Sequence, residues 1–555
     1  VSGLTRRTHV AATWLAAGAA AACAGNAPVA ELILHDARVY TLAWPDPAPG
    51  GRPAAGAPWD SAGGWRHDAT AVAIGGGRIL YVGSDSGALA LRRDSTTVID
   101  LDGATLLPGM VDAHTHVAEL GQSLDRINLT GVATEAEAVE RVAERAARTP
   151  NGEWILGWGW DEGAWANRYP DKRLLSARVP DHPVVLRGLH GFATWANSRA
   201  LAAAGVTSAT RPPVGGEIRL GGDGQPTGLF LNRAVEIMDG AVPRPSAGQR
   251  DSQVVRGLRE MAQAGYTAVH EAGVPRAVME SLVRLDAQRA LPIRVYAMLD
   301  GRDSTLVREW IYRGILIPQA SVSGRLTVRA IKAYYDGALG SRGARLLADY
   351  SDRPGHRGVS GNAYGFDHAI AAAAMAAGFQ LAIHAIGDEG NRAALDFIDS
   401  VMAVAPRAQA GRHRVEHAQV VSPQDIPRFA ALGAIASMQP PHAIEDMPWA
   451  EQRLGSERMA GAYAWRALRM AGAKLVLSSD LPGSDWNLFY GWHSAMTRKD
   501  RTGRPAGGWY PDQRLTAEEA IRGYSVWAAH AAFSDDVPIA AGRPADLTAV
   551  SIDPF

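Results

Sequence analysis

Eight short strand-like runs, each stopping at a loop, punctuate the chain at residues 107–114, 267–271, 293–299, 328–334, 380–384, 414–417, 434–439 and 474–478. Between them lie alanine-rich stretches of helical pattern, such as 369–377 and 392–404. Strands that alternate with helices predict a parallel sheet, because each crossover must return the chain to the same end before the next strand begins. Eight such units predict an α/β fold, a (β/α)8 TIM-like barrel, over residues 107–531. One connection is far longer than the rest. Residues 120–250 are rich in glycine, proline and tryptophan and predict an inserted lid subdomain over the barrel mouth.

The two ends of the chain have another style. Residues 31–40, 69–74, 78–83 and 97–101 read as short strands, with Gly75-Gly76-Gly77 as a hairpin turn, and 539–551 returns to the same pattern. They predict a small β-sandwich composed of 31–106 and 532–555, with the barrel inserted between its halves. The Pro/Gly/Ala-rich stretch 44–64 is expected to be a surface loop. Residues 1–30 carry Arg6, Arg7, an apolar run from 10 to 22 and then Cys23, the pattern of an export signal. Ala21-Ala22-Cys23 resembles the lipobox of bacterial lipoproteins, and Thr5-Arg6-Arg7 resembles a twin-arginine signal. Both routes predict a periplasmic protein or a membrane-anchored lipoprotein with its lipid on Cys23. With one cysteine no internal disulfide can form, and a net charge of -1 gives no reason to expect nucleic acid as a partner.

The chemistry concentrates at strand ends. In Pro108-Gly109-Met110-Val111-Asp112-Ala113-His114-Thr115-His116 the two histidines lie on one face of a strand, because side chains alternate. At the C-terminal end of a barrel strand they face the active-site mouth as natural metal ligands, against the alternative of a chance surface pair. Lys332, His384, His417 and Asp480 likewise stand just before loops, in IKAYYDG, IHAIGD, VEHAQ and SSDLPG. Their intervals of roughly fifty, thirty and sixty residues fit barrel units of roughly thirty residues each. Two structural alternatives stand beside this reading: Lys332 paired with Asp336, and Asp480 as a helix N-cap before Leu481-Pro482. Substrate contact is expected, more weakly, from His270 in GYTAVHEAG, Gln439 and His442 in SMQPPHA, and Trp160, one of four lid tryptophans with Trp158, Trp165 and Trp195. With 16 tryptophans against 9 phenylalanines, an aromatic pocket for a small molecule is expected.

Taken together, PGMVDAHTH, KAYYDGALGSRGA, IHAIGD, RVEHAQ, SMQPPHAIEDMPWAEQRLG and AYAWRALRMAGAKLVLSSD make the chain resemble the amidohydrolase superfamily from about residue 31 onward. The narrower likeness is to amidohydrolase family 3, the branch of YtcJ-like and N-substituted formamide deformylase-like proteins. The resemblance implies one or two divalent metal ions, with zinc expected. His114 and His116 would hold the more buried ion and His384 and His417 the more exposed one. Lys332 would carry an N6-carboxylate bridging both. Asp480 would be a metal ligand and the catalytic acid–base group. The implied reaction is hydrolysis of a non-peptide C–N bond in an amide, formamide or cyclic amide. Hydrolysis of an ester, carbamate or phosphoester on the same site, and a low-turnover exported binding protein, are the alternatives. A homodimer is the expected assembly. Two departures qualify the likeness. Phe192 in LRGLHGFATWANSRAL stands where a histidine is usual, with His190 before the glycine instead. Relatives also continue past GRPADLTAVSIDPF, so a smaller sandwich or a partial sequence is expected.

Overall fold

The structure is a computed structural model that describes residues 29–161, 165, 169–189 and 191–555. Arg6, Arg7, Cys23 and His190 lie outside the described residues.

Eight parallel strands stand side by side in chain order: β1 (Met110–Thr115), β2 (Tyr266–Val274), β3 (Arg294–Asp300), β4 (Leu326–Tyr334), β5 (Gln380–Ala385), β6 (Arg414–His417), β7 (Ile435–Met438) and β8 (Lys474–Leu477). Helices cover their outer faces, so the strands are buried on both sides. That is why MVDAHT of β1 and QLAIHA of β5 are buried at every position, their polar residues included, with no polar-out alternation in the sequence. The barrel closes between the last strand and the first by a short seam. The Asp480 N–H donates to the His114 carbonyl at 3.0 Å, and the His116 N–H to the Leu481 carbonyl at 3.0 Å. Asp112 reinforces it, accepting from the Ser479 N–H at 3.1 Å and the Ser479 hydroxyl at 2.6 Å. Burial pushes the Asp112 carboxyl up to about 7 against these hydrogen bonds.

The first strand departs from expectation. Residues 107–114 do not form one strand. The chain breaks at Gly109, and Thr105–Pro108 joins a smaller sheet. A Cβ at Gly109 would collide with the Thr267 hydroxyl, so only glycine lets the backbone pass beside β2 into the barrel.

The long first connection builds a six-stranded mixed sheet in the order Ile127–Asn128, Ile155–Trp160, Val184–Gly188, Ala193–Ala196, Pro226–Asn232, Gly216–Leu220. It has its own core around Val139, Val142, Leu186 and Trp195. Helix Glu135–Ala146 shows how the sequence specifies such an element. Thr134 caps its N-terminus, acids fill its first turn, and Ala138, Val139, Val142 and Ala143 form one buried stripe. Helix Ala247–Gln263 then returns the chain to the barrel and crosses helix Val117–Ser123 at Gly121 and Gly257, where any Cβ would strike the facing backbone.

The two ends of the chain contribute a four-stranded sheet (Arg78–Gly83, Ala71–Gly75, Leu32–His35, Thr97–Asp100) and a three-stranded one (Arg38–Val39, Thr105–Pro108, Leu547–Val550). Val39, Val72, Ile74, Ile79, Leu106 and Ile539 pack in one cluster there. Residues 44–64 are not simply a surface loop. Trp44 is buried in the barrel core and donates from Nε1 to Glu518 at 2.8 Å, while Arg522 donates to the Trp44 carbonyl at 2.9 Å. A hairpin of Trp59–Asp60 and Gly64–Trp65 follows. An indole with a carboxylate within reach gains more from burial than a loop loses in freedom. Among the described residues no helix is long and apolar enough to cross a membrane.

Candidate metal centre

At the C-terminal rim of the barrel the side chains His114, His116, Lys332, His384, His417 and Asp480 converge, although they are scattered over more than half the sequence. Strand alternation turns His114 and His116 to the same side. His114 Nδ1 donates to Glu416 Oε2 at 2.6 Å, with both side chains fully buried. Its Nε2 is thereby aimed at the centre, 3.0 Å from Lys332 Nζ and 3.6 Å from Asp480 Oδ1. His116 Nε2 approaches the same oxygen to 3.2 Å. Asp480 Oδ2 faces His442 Nε2 at 3.6 Å and His417 Nδ1 at 4.0 Å. The rings of His384 and His417 lie 4.4 Å apart between centroids. Two donor groups therefore share Asp480: one with His114 and His116, the other with His417 and His442.

Electrostatics favour cation binding. Burial, aided by the Lys332 charge, lowers His114 to about 4 and holds His384 well below the ordinary imidazole range, and burial beside His384 does the same for His417. Neutral imidazoles are the form that donates to a metal. At His116, by contrast, burial is outweighed by the carboxylates of Asp480 and Glu119, which raise the ring to about 9, so it must give up a proton to bind one. Burial also lowers Lys332 to about 8. Burial opposes ionisation of Asp480, yet His114, His116 and His417 together hold its carboxyl well below the usual range. The Nε2 of His384 is buried without a hydrogen-bond partner among the described residues. That nitrogen, 3.6 Å from Asp336 Oδ1 and set among other ring nitrogens and carboxylates, fits a borderline divalent cation such as zinc.

Neither structural alternative is what the geometry gives. Asp336 does not pair with Lys332. It accepts the backbone N–H groups of Arg345, Ile386 and Gly387, each at 2.9 Å, and so ties the loop after β4 to the loop after β5. Asp480 caps no helix, since the next one is Leu488–Thr497 with Asn487 as its cap. Asp480 instead holds a left-handed φ of 63°, and His417 one of 72°. Strain of this kind persists where surrounding structure fixes a side chain for use.

The weaker substrate expectations divide. His442 lines the cavity from the first turn of helix Pro440–Asp446 and belongs to the donor cluster itself. Gln439 does not reach the cavity. It accepts from His417 Nδ1 at 2.9 Å and donates to the Ser478 hydroxyl at 2.9 Å, holding the imidazole in place. His270 is also corrected: it lies inside the barrel against Tyr296 and accepts from Arg414 at 2.9 Å. Trp160 is a core residue, fully buried against Trp165 and Trp195, with Nε1 bonded to the Leu186 carbonyl. A bulge between Trp158 and Trp160, with Gly159 at φ 96°, breaks the alternation and leaves Trp158 to face the cavity. Sequence reasoning gave no role to the pair beneath the centre, Arg414 and Glu416. Arg414 Nε lies 2.7 Å from Glu416 Oε1, and both side chains are fully buried. Two charged residues on one face of a strand otherwise buried throughout were the available signal.

Above the cluster lies a cavity of about 1090 Å³. Trp158 and Arg187 of the inserted sheet line it, together with Tyr334 at the end of β4 and Tyr364 and Trp449 of the barrel loops. A pocket of this size, with aromatic walls over a few convergent polar groups, accommodates a small organic molecule.

Comparison with known proteins agrees with this geometry. A family model described as "Amidohydrolase family" matches residues 97–555. Protein LONG AFTER FAR-RED 3 of Arabidopsis thaliana is 32% identical over 87% of this chain and 84% of its own length. YtcJ of Bacillus subtilis is 30% identical over 83% of this chain and 86% of its own. N-substituted formamide deformylase of Arthrobacter pascens is 28% identical over 88% and 90%. Among solved structures, an uncharacterized metal-dependent hydrolase from Pyrococcus horikoshii superposes with a TM-score of 0.73 at 23% identity, covering 94% of this chain and 98% of that one, which marks a shared fold.

Proposed function

This chain belongs to the amidohydrolase family, and from that membership we propose that it is a metal-dependent hydrolase of a non-peptide C–N bond in an amide, formamide or cyclic amide. The observation that carries the reading is the meeting of four imidazoles, His114, His116, His417 and His442, around the Asp480 carboxylate, with His384 against the His417 ring and Lys332 Nζ 3.0 Å from His114 Nε2. His114, His116, His384, His417 and Asp480 would hold one or two divalent cations, zinc being the expected species, with His442 completing the second group. When bound, such a cation supplies Lewis acidity and lowers the pKa of water toward neutrality.

The remaining chemistry belongs to side chains. Asp480, kept ionised by its imidazole neighbours, takes the proton of the attacking water on a carboxylate oxygen and returns it to the departing nitrogen. Glu416 keeps a proton on His114 Nδ1 and so commits Nε2 to the centre. Lys332 Nζ, buried among the histidines with no carboxylate in ion-pair range among the described residues, would carry an N6-carboxylate, a reading its burial supports. That group would add negative charge where cations gather. Trp158, Tyr334 and Trp449 would cover the organic part of the substrate and exclude bulk water. A C–N bond is preferred to an ester or phosphoester because a relative similar over 88% of this chain is named for formamide deformylation. Export, on the pattern Arg6, Arg7 and Cys23, belongs to the same proposal.

The test is turnover by the zinc-loaded protein of N-formyl amines, N-acyl amines, cyclic amides, lactones and phosphotriesters, reading free amine, acid or alcohol. The expected result is amine release that a chelator abolishes and added zinc restores. Cleavage of lactone or phosphotriester with no amine released would transfer the reading to those bonds. No turnover of any class would favour a binding protein.

A further inference from the structure

Arg302 lines the cavity from the loop between β3 and helix Ser304–Arg313. Its backbone N–H donates to Asp300 Oδ1 at 3.0 Å, which fixes the turn. Its guanidinium carbon lies 3.9 Å from the ring centroid of Tyr334 and 5.6 Å from that of Tyr364. Tyr334 also borders the donor cluster. Lys332 Nζ is 4.9 Å from its centroid, and the His384 ring is 5.9 Å away. Arg302 therefore stands one aromatic ring from the histidines.

Of the other arginines lining this cavity, Arg244 is also without an ion pair among the described residues, but no ring contact ties it to the donor cluster, and Arg145 donates to the Asp125 carbonyl at 3.4 Å; the remaining three are engaged. Arg187 pairs with Asp239 and Arg233 with Glu236 on the wall of the inserted subdomain. Arg126 donates to Gln122 Oε1 at 3.1 Å. Arg302 has no carboxylate in ion-pair range among the described residues, and it is exposed to the cavity. A guanidinium held over one ring and beside the Tyr364 hydroxyl still offers N–H groups on its edge, the arrangement that matches the two oxygens of a carboxylate.

We propose that Arg302 is an anion subsite and that the preferred substrate carries a carboxylate close to the bond that is cleaved. The inference rests on the C–N hydrolase reading for its substrate class, while the subsite itself rests on Arg302, Tyr334 and the cavity. An N-acyl or N-formyl amino acid has the required chemistry: an amide at the metal centre, a carboxylate for Arg302 and a side chain for the aromatic wall.

A matched pair of substrates tests it. N-formylphenylalanine and N-formyl-2-phenylethylamine differ only in the carboxylate. The zinc-loaded protein is expected to favour the acid in kcat/KM by roughly 10-fold or more, the scale of one charge-assisted hydrogen-bonded contact. Arg302→Met should bring the ratio near one, and Arg302→Lys, which keeps charge but loses the fork, should fall between. An unbiased wild-type ratio, or one that Arg302→Met leaves unchanged, overturns the subsite while amine release still upholds the hydrolase reading. Calorimetry with phenylacetate separates the opposite case. If neither formyl compound is cleaved, yet phenylacetate binds about 10-fold more weakly to Arg302→Met than to wild type, the C–N reading fails and the anion subsite stands. Equal phenylacetate affinity in the two proteins overturns the subsite whatever the kinetics.

Discussion

Asp480→Asn is expected to lower kcat by about 1,000-fold, within the range that a positioned acid–base group contributes. The substitution preserves shape and removes the one function that no neighbour duplicates. Both carboxylate oxygens face imidazole nitrogens, at 3.2 Å and 3.6 Å on Oδ1 and at 3.6 Å and 4.0 Å on Oδ2. These contacts hold the carboxylate ionised despite its burial. An amide in the same place can still turn an oxygen toward a cation, but it cannot take up a proton near neutral pH. Zinc should be supplied in excess, so that a weakened ligand does not masquerade as a lost base. The measurement is steady-state turnover with bound zinc quantified on the same sample. A variant that keeps its metal and a tenth or more of the wild-type kcat would remove Asp480 from proton transfer.

Much of this arrangement was legible before any coordinates. The barrel could be read because short strand-like runs alternate with helical stretches along the chain, and each of the eight expected runs overlaps a strand. Convergence of His114, His116, Lys332, His384, His417 and Asp480 could be anticipated because strand ends in such a barrel share one rim. What was missed has local causes. Trp160 and Trp158 share a face only if alternation holds, and the bulge at Gly159 breaks it. Gln439 resembles a pocket residue from its place at the end of β7, but its partner is the His417 ring rather than the cavity. Glu416 touches a histidine 302 positions away, and no local pattern encodes a contact of that range. Trp44 sits in a loop-like composition yet is drawn into the barrel foot by Glu518 and Arg522, far along the chain.

Glu416→Gln carries the second large expectation, a zinc affinity lower by roughly 10- to 100-fold, the usual cost of losing the carboxylate behind a metal-binding histidine. A carboxylate accepting from Nδ1 makes Nε2 more basic and fixes the ring. A neutral amide does the second at best. Glutamine also leaves the Arg414 guanidinium buried with no counter-charge. Removing one partner of such a pair costs about 3–5 kcal/mol, so a fall in thermal stability should accompany the loss of affinity. Glu416→Asp keeps the charge with a shorter reach and guards against outright misfolding, and it should retain more stability than Glu416→Gln. Chelator competition reads the affinity. Unchanged zinc binding in folded Glu416→Gln would make the pair a mere structural filler of the barrel interior.

The account turns on whether these side chains hold metal. Elemental mass spectrometry of the purified, unsupplemented protein beside His114→Ala answers this most directly. The account predicts one or two divalent ions per chain in the wild type, with at least one lost in the variant together with hydrolysis. A metal-free wild-type protein that hydrolyses its substrate at full rate, or a His114→Ala protein with its metal complement intact, would contradict it.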